Sequence, residues 1–408
     1  MAGIKTLGII DPFWEGHSPS YFVMYWRILS GKQSASGQHF KLVGFSPQPE
    51  QTKQMLLDYG FANACIWPLK LSKRTKYPKT LFGNARFAIA NWRSLKRAVV
   101  AAESETGPID FAINLWLDPF LASFVPKVLV DTLFPKPWVG LYIMPMTFRI
   151  RQSRRWRLLE KFFPRYGPVK AGKCQAIFTF DEGTAVNMAA ATKKLVLAVP
   201  DVADATAPDQ NDDLAGLIKK KSGRNQICAM IGVLCKRKGL ITLIEAAKAR
   251  PPGWFFVFAG GFAETDFPPA ELETIKQFIN SNPENSIFWL KYLPTEASFN
   301  AVVSACDVLY ANYPWYPFSS GIVSKGALFK KPVIVSNRFL LAERVARYQI
   351  GWGLPEENVD ALVDLLTHTD RQAVEAKRLQ ARFEDYCAEH SEARLSTLLD
   401  QLFVKVGI

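Results

Sequence analysis

Apolar residues along this chain fall into two alternating patterns. Short continuous apolar runs are each followed by a longer stretch in which apolar positions return every three or four residues. In the first half the runs predict strands over Lys5–Ile10, Lys41–Phe45, Ala64–Trp67, Phe111–Leu115, Val139–Ile143 and Ala176–Phe180. The longer stretches predict helices, among them Ser20–Leu29, Gln51–Tyr59 and Asn84–Ala102. A strand that is apolar throughout is buried on both faces. Its alternation with helices therefore predicts a parallel sheet covered on both sides.

The stretch Pro200–Asp213 interrupts this pattern with proline, many aspartates and no bulky aromatic residue, and reads as a linker. The alternation then restarts. Strands are predicted over Gln226–Ile231, Trp254–Phe258, Ile287–Leu290, Val308–Ala311 and Pro332–Val335. Helices are predicted over Leu240–Ala249, Pro269–Ile279, Glu296–Ala305, Gly321–Phe329 and Val359–Leu366, with a charged helical stretch over Arg371–Val404. The expected fold class is α/β, with two Rossmann-like doubly wound domains facing across a cleft. The expected boundaries are 1–200 for the first domain, 201–213 for the linker and 214–385 for the second domain. Residues 386–408 are expected to form a helix that returns to the first domain. Ligands of open α/β sheets bind beyond the carboxyl ends of the strands, so functional residues are sought in the loops there.

Charge sharpens this picture. The 408-residue chain carries a formal net charge of +13, and residues 1–200 hold 27 Lys and Arg against 12 Asp and Glu. The basic excess lies wholly in the first half, where an anionic partner is expected. No apolar run reaches the roughly 18 residues a membrane span needs. The N-terminus reads as a first strand and not as a signal peptide. The six cysteines form no C-x-x-C pair and read as free thiols. A cytoplasmic location follows as the expectation. No metal site is expected, and no nucleic-acid module appears.

Two loops in the second half carry candidate chemistry. After the strand Gln226–Ile231 comes Gly232-Val-Leu-Cys-Lys236-Arg237-Lys238-Gly239, opening a helix. Helix-start amides and three cations suit a diphosphate, although a solvated turn would use the same residues. After Val308–Ala311 comes Asn312-Tyr-Pro-Trp-Tyr-Pro-Phe-Ser319-Ser320-Gly321, again opening a helix. Its hydroxyls and amides suit phosphate oxygens, or equally a plain capped helix.

Together these loops, with FAGG ending the strand at Trp254–Phe258 between them and the later K-P-V-I strand, resemble the nucleotide-sugar-binding domain of glycosyltransferase family 4 and its GT-B relatives. The resemblance covers about residues 226–340. It implies a GT-B glycosyltransferase with an acceptor-side first domain, a nucleotide-sugar as co-substrate, no other cofactor and retention of anomeric configuration. The family's first glycine falls on Gly232 and its lysine on Lys238. Its arginine falls on Val233, and its two glutamates fall on Pro317 and Lys325. Lys325 cannot accept hydrogen bonds from a ribose as a glutamate does. Lys236 or Arg237 could replace the arginine at the diphosphate, and Lys325 could add a cation beside it.

In the first half, Glu15, Gly16 and His17 follow the first strand and precede a helix. His17 is the candidate catalytic residue, since imidazole titrates near neutral pH and Glu15 could orient it. A loop histidine that caps the next helix is the simpler alternative. The basic segments Lys70–Lys79 and Arg149–Lys173 suit an anionic membrane surface or an anionic acceptor. The expected function is transfer of a sugar from a nucleotide-sugar to an anionic or membrane-associated acceptor, without a metal. The alternatives are a non-catalytic GT-B-like binding or scaffold protein and a sugar-nucleotide epimerase of the same fold.

Overall fold

The computed structural model describes residues 5–14, 18–34, 37–150 and 162–408. The chain divides into two compact units, Met1–Val199 with Glu392–Ile408, and Pro200–Ser391.

The first unit is built on a seven-stranded parallel sheet. Its strands are β1 (Thr6–Ile10), β2 (Lys41–Ser46), β3 (Cys65–Pro68), β4 (Phe111–Asn114), β5 (Trp138–Leu141), β6 (Cys174–Thr179) and β7 (Leu195–Ala198). The order is β3-β2-β1-β4-β5-β6-β7. Every residue of β1, β4 and β5 is buried, as the continuous apolar runs require. The long helix Leu81–Thr106 starts at Thr80, whose side chain accepts from the Gly83 amide. It buries Trp92 against Phe120 and Trp138, and the Trp92 indole N–H donates to the Phe120 carbonyl at 3.0 Å.

The last helix, Glu392–Val406, completes this unit from the far end of the chain. Phe403 packs on Phe40 and Phe111. Lys32, which is buried, reaches Asp400 at 2.6 Å and Ser396 at 2.8 Å.

The second unit holds a six-stranded parallel sheet. Its strands are β8 (Gln226–Ile231), β9 (Trp254–Ala259), β10 (Ser286–Trp289), β11 (Val308–Ala311), β12 (Val333–Ser336) and β13 (Gly351–Leu354), in the order β10-β9-β8-β11-β12-β13. Alternate residues of β8 feed two separate cores. Ile227, Ala229 and Ile231 join one, and Cys228 and Met230 join the other.

The sequence pattern does not predict β7 or β13. Both are four-residue strands at the ends of their sheets. β13 reads Gly-Trp-Gly-Leu, which carries no β-branched signal, while β7 has no fully buried residue. The charged stretch 371–404 is three helices, Arg371–Gln380, Phe383–Glu389 and Glu392–Val406.

The stretch 201–213, read from composition as a linker, lies along the second unit in many fixed contacts. Asn300 Nδ2 donates to the Thr206 carbonyl at 2.7 Å. Asp212 caps the helix Asp213–Ser222 through the Ala215 amide at 2.8 Å. Its aspartates serve these contacts rather than solvation alone.

Candidate functional site

The site of interest forms beyond the carboxyl ends of β8, β9 and β11. Gly232 donates to the Ala259 carbonyl and Leu234 to the Gly261 carbonyl, both at 2.8 Å, which ties the first two loops together. Gly260, at φ +141°, makes this possible. A Cβ there would sit 1.9 Å from the Gly232 carbonyl oxygen, so no side chain fits. Cys235 is buried and anchors the short 3-10 turn Lys236–Lys238. The helix Leu240–Lys248 follows. The Tyr310 hydroxyl donates to the Gly239 carbonyl at 3.3 Å, joining the end of this loop to β11.

The three cations of the turn point three ways. The Lys236 ammonium pairs with Glu271, at 2.6 and 2.8 Å from its two oxygens. Arg237 is exposed, and its guanidinium lies 5.8 Å from the Tyr316 ring centre. The Lys238 ammonium turns back over the strand end. A Cβ built on Gly232 would lie 3.0 Å from it, and the Tyr313 ring centre is 5.8 Å away. No carboxylate pairs with Lys238 among the described residues. Burial pushes its pKa down to about 8, and the neighbouring Arg237 charge pushes the same way.

The loop after β11 is organised by aromatics. Tyr313 is buried and meets Tyr316 edge to face at 5.4 Å. The Tyr316 hydroxyl donates to the Ser319 carbonyl at 2.9 Å. Ser319 itself is occupied: its hydroxyl donates to Asp201 and accepts from Arg344 Nη1 at 2.6 Å. Ser320 precedes the helix Gly321–Leu328 and makes no capping bond, its hydroxyl meeting Tyr313 instead. The first amides of that helix lack intrahelical acceptors, as at any helix start.

Behind this turn lies a buried polar network. Ser324 donates to the Asp201 carbonyl at 2.7 Å and lies 3.0 Å from the Tyr386 hydroxyl. The Asp201 amide donates to His390 Nδ1 at 3.3 Å. Burial, reinforced by Arg344 and Arg347, holds His390 neutral with a pKa pushed down to about 2. The network fixes the Ser319–Gly321 turn, whose residues stay partly exposed.

Gly232, Arg237, Lys238, Ser319, Ser320 and Gly321 thus share one side of the second unit, with Tyr313 and Tyr316 between the two loops. Two predicted residues do not join them. Lys236 is committed to Glu271. Lys325 is 2 % exposed and lies beneath the turn, where it donates to the Asp204 carbonyl at 2.7 Å, Asn300 at 2.6 Å and Glu296 at 2.9 Å. An ammonium with three acceptors has no donor left to offer a phosphate, so Lys325 is a structural cation here. Glu15, Gly16 and His17 lie outside the described residues, as does the stretch 151–161. Arg149, at the edge of that stretch, pairs with Asp181 at 2.8 Å. Among the described residues, no three His, Cys, Asp or Glu side chains stand together as metal ligands would.

Sequence reasoning missed Tyr313, Tyr316, Asp201 and Arg344. Arg344 did leave a signal. It sits among Leu340, Leu341, Val345 and Tyr348 on the apolar face of the helix Phe339–Tyr348, where a cation needs a buried partner.

Comparison with known proteins now decides the class of this unit. Residues 217–386 match the family model described as glycosyl transferases group 1. The match covers most of the second unit, Pro200–Ser391, which is therefore similar to a group 1 glycosyl transferase domain. That match supports a glycosyltransferase, and likeness to solved structures sets the GT-B fold. Sucrose-phosphate synthase from Thermosynechococcus elongatus aligns over 98% of this chain and 99% of its own, at 14% identity and a TM-score of 0.61. Anabaena HepE in complex with UDP and glucose aligns over 97% of this chain and 98% of its own, at 12% identity and a TM-score of 0.66. A putative UDP-N-acetylglucosamine 2-epimerase from Listeria monocytogenes shares the fold at 12% identity and a TM-score of 0.58, over 97% of this chain and 95% of its own. No curated protein matches the chain.

Proposed function

We propose that this glycosyltransferase moves a sugar from a nucleoside diphosphate carrier to an anionic or membrane-associated acceptor, with the diphosphate held by the second unit. The observation that carries the reading is Lys238, a sheltered cation with no carboxylate partner among the described residues, on the same side as the helix start at Ser320–Gly321. Lys238, Arg237 and the amides at Ser320–Gly321 would receive the diphosphate and stabilise the charge that grows on it as the sugar leaves. These groups would supply that charge without a metal. HepE, which shares the fold, is described in complex with UDP-glucose, so UDP-glucose is the first donor to test.

Thermal-shift measurements with UDP-, GDP- and ADP-sugars test the donor site. At least one should raise the melting temperature, since ligand at a hundred times its Kd adds about 2.7 kcal/mol to the native state. The replacement of the family's second glutamate by the buried Lys325 favours a second reading, a binding protein that has lost donor recognition. Silence toward every nucleotide-sugar would select that reading.

The acceptor side rests on the first unit's cations. Arg93, Lys96 and Arg97 line one face of the helix Leu81–Thr106. With Ser72 and Tyr77 they enclose a depression of about 450 Å³. None of the three pairs with a carboxylate among the described residues, and neither do Lys70, Lys73, Lys76 and Lys79 nearby. No described helix is long and apolar enough to cross a membrane, so attachment would be peripheral. The protein should co-sediment with phosphatidylglycerol vesicles and not with phosphatidylcholine vesicles, and salt should release it. Equal sedimentation with both would remove the anionic-surface reading.

A further inference from the structure

The first unit holds a cavity of about 840 Å³ that the donor chemistry does not use. Its place in the sheet is informative. The chain runs from β1 outward to β2 and β3, then returns to β4 on the other side of β1. The loops after β1 and β4 therefore part in opposite directions and leave a crevice at the carboxyl ends of the strands. Phe13 follows β1 and Trp116 follows β4, and their rings meet at 4.6 Å at this point. Pro12, Phe13, Trp116, Leu121, Met144 and Met146 are among the lining residues, so the cavity has an apolar and aromatic wall.

Ser72, Asn84, Ser123 and Thr147 add neutral polar groups, and the charged groups are unevenly balanced. Asp118 forms the floor, and its two oxygens accept from the Ile143 and Met144 amides at 3.0 and 3.1 Å. Burial pushes its pKa up to about 6, against the pull of those amides and of Arg165. Two guanidiniums also line the cavity. Arg74 is held by the Tyr77 carbonyl and by Asn84, both neutral. Arg165 lies within electrostatic reach of Asp118, and neither a hydrogen bond nor an ion pair engages it among the described residues. The one carboxylate is thus turned toward backbone amides, and the two cations leave the cavity with a net positive character.

We propose that this cavity is the acceptor site, and that the acceptor it takes is an amphipathic anion, with an apolar body against Phe13, Trp116, Met144 and Met146 and an anionic group at Arg165. The inference rests on the transferase reading and names the substrate class within it. A plain sugar would leave the wall of Phe13, Trp116, Met144 and Met146 and the Arg165 charge unmatched, whereas an alkyl or aryl phosphate satisfies both.

The test uses the whole chain and decyl phosphate below its micelle concentration, with binding followed by calorimetry. Decyl phosphate should bind saturably, at least tenfold tighter than inorganic phosphate and tenfold tighter than uncharged decyl maltoside. Met146→Glu and Arg165→Gln should each weaken it at least tenfold. Both positions are partly exposed, and both variants should keep the wild-type melting temperature and its rise with UDP-glucose. Absence of saturable binding overturns the proposal, as does wild-type affinity in both variants. Equal binding of inorganic phosphate removes the apolar body, and equal binding of decyl maltoside removes the anion. A missing response to nucleotide-sugars with intact decyl phosphate binding would sink the donor reading and leave the cavity assignment standing.

Discussion

Lys238→Met raises the melting temperature of the ligand-free protein and abolishes its response to UDP-glucose. The two effects have one cause. An ammonium sheltered by its neighbours, with no carboxylate partner among the described residues, is destabilised, and its pKa falls from the ordinary 10.5 to about 8. The folded state therefore gives up this proton before the unfolded state does. Between pH 8 and 10.5 the unfolded chain binds more protons, so stability rises with pH across that window, and below pH 8 the full penalty is present. Methionine has similar length, carries no charge and removes the penalty. Donor binding has the opposite sign because it needs the cation. Wild-type affinity for UDP-glucose should fall as pH rises through about 8. Binding at pH 8 should take up protons, since a bound phosphate restores the ammonium. The methionine variant should lose roughly 10²-fold in transfer, the typical effect of removing one donor to developing charge. A variant that is less stable than wild type, or that still responds to UDP-glucose, would mean that Lys238 is held for packing.

The same turn shows what is legible in a sequence and what is not. β8 is read at its observed bounds, because its apolar run is flanked on both sides by polar and glycine signals. The loop that follows is also legible, as glycine-flanked cations opening a helix. The directions of the three cations are not. They occupy consecutive positions of a 3-10 turn, which has three residues per revolution, so each side chain departs about 120° from the last. One finds Glu271, one finds Tyr316 and one turns back to Gly232. Only the tertiary neighbours decide which of them faces a ligand. Asp201 is a similar case. Its acid-rich stretch reads as solvated linker, and its partners Ser319, Ser324 and His390 lie more than a hundred residues away. The first unit's cavity was legible only in part. Its lining comes from the loops after four strands and from the helix Leu81–Thr106; Arg74 and Arg165 belong to basic segments visible in the sequence, but only tertiary packing decides which of those cations face one cavity.

Lys325→Glu restores the residue that the resembling family carries at this position, and it is expected to unfold the second unit and not to improve donor binding. The position lies one turn into the helix Gly321–Leu328, on the face that packs inward. The ammonium there meets Asn300, the Asp204 carbonyl and Glu296, all of them acceptors. A glutamate would set its carboxylate against a second carboxylate and two oxygens without bringing a single donor. Breaking a buried ion pair by removing one partner costs about 3–5 kcal/mol, and like-charge repulsion adds to it. That is a large part of the roughly 5–15 kcal/mol that holds a domain together. Thermal unfolding should therefore lose its cooperative transition for this unit, or expression should give insoluble protein. Pairing Lys325→Glu with Glu296→Lys should recover a measurable fraction of the loss, because the charge pair is rebuilt with its ends exchanged. Neutral Lys325→Met separates the terms, since it removes the donor without adding repulsion and should fall between wild type and the glutamate. If the glutamate variant instead melted like wild type and bound UDP-glucose more tightly, Lys325 would face the ligand and the contacts beneath the turn would be incidental. The same network explains how the turn tolerates losing the family's glutamate. Asp201, Ser319 and Arg344 hold the helix start in place from below, so its shape does not depend on a ribose contact from above.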